Sequence, residues 1–120
     1  LRDSAVTRDD LERHLEQLRL GLETELALLR QLQAVALQQR AVSAARDFEQ
    51  LKIVSDERDR LTRSLLAIEQ GLTEHRSVLA QVRQEASGVP LYGTVLALRQ
   101  ASSDLVAEIL ASDREAMKVL

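Results

Sequence analysis

Two histidines, His14 and His75, are the residues best suited to hold a metal in a chain of 120 residues that has no cysteine. Imidazole nitrogens are common ligands for zinc and its neighbours, and a carboxylate often completes the set. Asp10, Glu12, Glu16 and Glu74 stand near one histidine or the other in sequence, so a two-histidine, one-carboxylate site can be drawn. The spacing argues against it. Neither histidine has a second at i+4, and the Glu-x-x-His pair that di-iron bundles carry on two helices is absent. The expectation is no metal and no other cofactor. Nucleophilic chemistry fares no better. Glu74-His75-Arg76-Ser77 gathers the residue types of a triad, but consecutive residues on a helix point in different directions. Gly88 and Gly93 bracket Pro90 at the wrong spacing for a phosphate loop. No enzymatic activity is expected.

The composition says which elements carry these residues. Hydrophobic residues make up 45% of the chain, yet there is one Phe, one Tyr and no Trp. The apolar material is mainly Leu, Ala and Val, which suits helices packed along a seam better than a sandwich or barrel. Four Gly and one Pro cannot supply the turns of an all-β fold. The formal charge is -3, with acids and bases interleaved, so neither a nucleic-acid groove nor an anionic membrane surface is indicated. No apolar stretch approaches the roughly 18–20 residues that span a bilayer. A secretory leader pattern is not visible, and the expected location is the cytoplasm. The fold class expected is all-α: a long antiparallel helical hairpin, coiled-coil in character, plus a third C-terminal helix, in one domain over residues 1–120.

The expected helices cover residues 8–43, 47–86 and 94–119. Thr7 is a candidate N-cap with Asp10 three residues on, and Asp9 and Asp10 favour the positive end of the helix dipole. Leu11, Leu15, Leu18, Leu22, Leu26, Leu29 and Leu32 follow at steps of three or four. Asp47, with Gln50 three residues later, offers a capping box for a second helix. One uninterrupted helix is the alternative, but it would leave its seam exposed unless another chain covered it. In the second helix Leu51, Val54, Arg58, Leu61, Leu65, Ile68, Leu72, His75, Leu79, Val82 and Ala86 alternate steps of three and four, about five heptads of a seam. Arg58 and His75 are its polar members. Arg58 is expected to lay its stem on the core and reach an acid with its charge. The remaining charges, Asp59 with Arg63 among them, read as a solvated face. Gly88 and Pro90 mark the end of this helix.

Folding back near residue 45 places Leu15 near His75, Leu29 near Leu61 and Leu37 near Val54, and it brings His14 within about one turn of His75. Gly21 and Gly71 then share a height; coincidence, each Gly costing about 1 kcal/mol relative to Ala, is the first reading, and a close approach of two backbones or a soft spot in a long rod, with a penalty for Gly71→Leu beyond helix propensity, is the alternative. On the third helix Val95, Leu98, Leu105, Ile109 and Ala116 form one stripe, and Leu96, Val106, Leu110, Met117 and Leu120 form another beside it. A three-helix bundle needs only the first. The second is free to dock an amphipathic helix or a second copy of the chain.

This layout resembles the FlgN-like flagellar export chaperones. The resemblance rests on Glu25-Leu26-Ala27-Leu28-Leu29, on the break Ala44-Ala45-Arg46-Asp47-Phe48-Glu49-Gln50-Leu51, and on the run Asp56-Glu57-Arg58-Asp59-Arg60-Leu61 continuing through Ile68-Glu69 to His75-Arg76. The hairpin is also similar to that of FliT-like chaperones. The resemblance implies a cytoplasmic bacterial protein that holds hook-filament junction proteins before type III export, with its client contacts on the third helix. Leu105, Val106, Ile109, Leu110, Asp113 and Met117 are the contact positions chosen from this sequence. The partner expected is a protein client presenting an amphipathic terminal helix, with no nucleic acid and no membrane. The alternative is a structural coiled-coil adaptor that forms a homodimer.

Overall fold

A computed structural model describes residues 7–119; the side chain of Val119, and Leu120 with its place in the second stripe, lie outside what it describes. The described chain is all-helical, with elements α1 (Arg8–Ala44), α2 (Phe48–Gln81), a single turn α3 (Arg83–Ala86) and α4 (Pro90–Val119). They form a rod of 64 × 20 × 20 Å.

Local chemistry sets the ends. Thr7 Oγ1 accepts the Asp10 N–H at 3.0 Å, as its N-cap position predicts, and the Asp10 carboxylate accepts the Thr7 N–H at 3.4 Å, so the cap closes into a full capping box that satisfies two donors. At the other end of α1 the Asp47 N–H reaches Val42 O, and the Arg46 N–H reaches Ser43 O, both at 3.0 Å. That pair of bonds is a Schellman motif. Its left-handed position is filled by Arg46 at φ 58 rather than by the usual glycine. Asp47 then caps α2 by accepting the Gln50 N–H at 3.2 Å, but the expected box stays half-formed, because the Asp47 N–H is spent on Val42 O. The turn is therefore built without Gly or Pro.

The far end departs from expectation. The second helix does not run unbroken to residue 86. It stops at Val82, whose φ of -124° and ψ of 39° leave the helical region. The chain then makes one turn of helix, and the third helix starts at Pro90 rather than near residue 94. Proline has its φ preset and no N–H to satisfy, so it suits the first turn of a helix; here it opens one instead of merely ending another. The break turns Ala86 and Val89 in beneath the bundle, where both are buried.

α1 lies against both α2 and α4, while the backbones of α2 and α4 approach each other only sparsely. Every position of the α2 seam is buried or half-buried. The core falls into two parts. One gathers Leu11, Leu15, Leu18, Leu22, Leu72, Leu79, Ala86, Val89 and Val95. The other gathers Leu26, Leu29, Leu32, Leu61, Leu105 and Ile109. Fully burying one such leucine is worth about 1.5–3 kcal/mol. The two glycines do not bring backbones together. A Cβ on Gly21 would lie 2.6 Å from Leu72 Cδ2, so a close approach exists there. It is made to a side chain rather than a backbone. Gly71 is exposed with nothing within 4 Å, so the penalty expected for Gly71→Leu has no steric basis.

Candidate partner-binding surface

Between the two parts of the core lies a polar layer. Glu25 of α1 is only 7% exposed, on a face otherwise made of leucine. Burial pushes its carboxyl up to about 7, and the neighbouring Glu69 carboxyl adds to the shift. Glu69 moves the other way, to about 2, because Arg76 grips it, with hydrogen bonds of 2.5 and 3.0 Å. Ser102 of α4 is buried beside Glu25 and makes no hydrogen bond to the described residues. Glu25 of α1, Glu69 of α2 and Ser102 of α4 thus bring three helices to one polar layer between the two leucine clusters, which a slipped register would take apart.

A second cross-brace sits nearer the hairpin turn. The Arg58 guanidinium is hydrogen-bonded to both Asp113 carboxylate oxygens, at 3.2 and 2.6 Å, and to Gln39 Oε1 at 2.8 Å. Its charge finds an acid, as the seam position predicts, and the acid comes from α4. On the exposed face of α2 the ion pairs are Lys52 with Asp56 and Arg60 with Glu57, in place of the expected Asp59 with Arg63.

The histidines meet as the hairpin register requires, with Nδ1 atoms 2.8 Å apart and ring centroids 5.1 Å apart. One ring can donate to the other if their tautomers differ. No third ligand joins them, and no group of three or more potential metal ligands occurs among the described residues. The pair closes the far end of the hairpin with a polar contact at a half-buried position.

The expected contact positions on α4 separate into two sets. Leu105 and Ile109 are 8% and 5% exposed and belong to the core, packed with Leu29, Leu32 and Leu61. Asp113 is engaged by Arg58. Leu105 and Ile109 are corrected from client contacts to packing residues, because their helical phase points them inward, while Asp113 is half-buried and holds α4 to α2 through Arg58. Val106, Leu110 and Met117 are exposed, and so is Leu96, the first member of the second stripe. Their phase places them on the side of α4 that carries Asp113 toward α2, away from the Glu108 and Ser112 side that bonds to Gln33 and Arg40 of α1. The exposed stripe therefore borders the gap between α2 and α4.

Where that gap meets the end of the bundle it deepens into a groove of about 420 Å³. Among the described residues, no helix is long and apolar enough to cross a membrane. Comparison with known proteins found no matching family model, no similar curated protein and no similar solved structure.

Proposed function

We propose that the chain is a protein-binding export chaperone, acting in the bacterial cytoplasm, that holds an amphipathic terminal helix of its client. The client class favoured is the flagellar hook-filament junction proteins before type III secretion, on the strength of the sequence resemblance. The observation that supports docking on α4 is the stripe of Leu96, Val106, Leu110 and Met117, exposed on a helix whose adjacent face is anchored by Val95, Leu105 and Ile109. A helix fixed along one face and apolar along the next presents preordered anchors, with Val106 and Leu110 four residues apart and Met117 seven further on, on the face that helix-in-groove recognition uses. Preordering lowers the entropy cost of binding.

A second reading, a homo-oligomerisation module, is favoured by a different group of exposed residues. Leu37, Phe48 and Ile53 stand out near the hairpin turn, with Phe48 72% exposed. Light scattering separates the two. The chaperone reading expects the mass to rise by one client when the C-terminal helical segment of a hook-filament junction protein is added. A stable dimer whose mass ignores that segment would support the module instead.

A further inference from the structure

We infer that the groove between α2 and α4 takes the acidic end of an amphipathic helix from a protein partner; this rests on the docking face proposed above and adds the chemistry of what docks there. The groove floor is apolar, made of the buried Leu18, Leu79 and Val95. Three arginines, Arg76, Arg83 and Arg99, line it as well. Arg76 is partly occupied by Glu69, whereas Arg83 and Arg99 are exposed and have no ion pair among the described residues. In a chain of net charge -3, this is a local reversal of sign. Two arginines without an ion pair among the described residues, set beside an apolar floor, fit an occupant that is apolar on one side and carries carboxylates beside it.

The length of the surface argues for a helix over a small amphiphile. Leu96 lies in the groove wall and also begins the exposed stripe. Arg99 shares that face of α4 at the helical period. From Leu96 to Met117 the face runs roughly 30 Å at 1.5 Å per residue, far beyond the span of the groove alone. The sparse approach of the α2 and α4 backbones leaves the side on which a fourth helix completes a four-helix bundle. The occupant is thus an amphipathic helix whose carboxylates lie at the end that meets Arg83 and Arg99 and whose apolar stripe continues along Val106 and Leu110.

The test uses two fluorescent amphipathic peptides of about six turns with identical leucine faces, one flanked at one end by glutamates and the other by lysines. Anisotropy is read with the full chain, with Arg83→Glu/Arg99→Glu, and with Leu110→Asp, all first checked for helicity. Both arginines are exposed and outside the core, so the double variant keeps its fold. The expected result is that the glutamate peptide binds at least tenfold more tightly than the lysine peptide. The double variant reverses that preference, and raising the salt from about 50 to 300 mM weakens it, as screening of exposed charges requires. Equal binding of both peptides, lost in Leu110→Asp but untouched by the arginine variant, would overturn the inference while leaving the docking face standing. Binding that depends on the arginines but ignores Leu110→Asp would keep the groove and remove the extended face. If neither peptide binds while laurate does, the groove serves a small amphiphile and the inference is wrong; binding of nothing at all overturns it too.

Discussion

α1 and the α2–α4 gap make a useful contrast, because the same leucine-rich chain supplies both. Along the inner face of α1 the leucines are buried against the other helices, and Leu15 and Leu22 of α1 and Leu61 of α2 are almost fully buried. Along the gap, Leu96, Val106, Leu110 and Met117 find no such cover, and cations replace the leucines at its end. One side is finished by the chain itself. The other has the composition of a helix seam without the second helix. Stability is thus concentrated on the side facing α1, and the opposite side is left able to change without cost to the fold.

The sharpest way to break that contrast is to truncate one leucine from each side. Leu61→Ala removes a side chain from the filled core and is expected to cost about 2–5 kcal/mol in urea unfolding. Leu110→Ala on the open side should stay within about 0.5 kcal/mol of the parent. Comparable losses would mean that the exposed stripe is already covered in the isolated protein.

The polar layer gives the next largest effect, and its sign follows from the proton balance. The Glu25 carboxyl lies at about 7 in the folded chain against an ordinary 4.5. The folded state therefore binds this proton more tightly than the unfolded state. Its contribution is fully present below about pH 4.5 and is lost as the pH rises through 7. Glu69, depressed to about 2, contributes in the opposite sense: its stabilisation is present above pH 4.5 and fades as the pH falls toward 2. Thermal melts from pH 5 to 8 should show Tm falling with pH in the parent and staying nearly flat in Glu25→Gln. A flat parent profile would show that the carboxyl is not held in its protonated form.

Smaller effects probe the close approach and the turn. Gly21→Ala forces a methyl against Leu72, and overpacking of about 1–3 kcal/mol outweighs a helix-propensity gain of about 1 kcal/mol. Gly71→Ala meets open space and should stabilise by up to about 1 kcal/mol. Arg46→Gly relieves a left-handed non-glycine residue at the Schellman position and should raise stability by about 1 kcal/mol. Denaturant midpoints for the three variants check the order.

Much of this architecture was legible because leucine spacing and capping residues act locally. Thr7, Asp47 and the α2 seam declare themselves without reference to distant residues, and the hairpin register then follows, down to the meeting of His14 and His75. What escaped depends on the third dimension. Glu25 continues the steps of three and four from Leu15, Leu18 and Leu22 to Leu29 and Leu32, so a polar member of the α1 seam was visible. Its partners Glu69, Arg76 and Ser102 come from two other helices and carry no mutual spacing to detect. The break at Val82 has no Gly, Pro or capping signal, and only the burial of Ala86 and Val89 accounts for it. Leu105 and Ile109 were candidates for the partner surface because two adjacent stripes cannot be told apart until one is seen against α1. The groove arginines lie in separate segments, and only the folding of α4 back along the bundle brings them together.

The central claim is that the outer face of α4 is a binding surface that the fold does not need. Calorimetric titration of the full chain with C-terminal helical segments of hook-filament junction proteins, repeated with Leu110→Asp, tests it most directly. Micromolar or tighter one-to-one binding is expected in the parent, with loss of that binding in a variant whose circular dichroism is unchanged. Absence of binding in the parent, or binding that Leu110→Asp leaves intact, would contradict it.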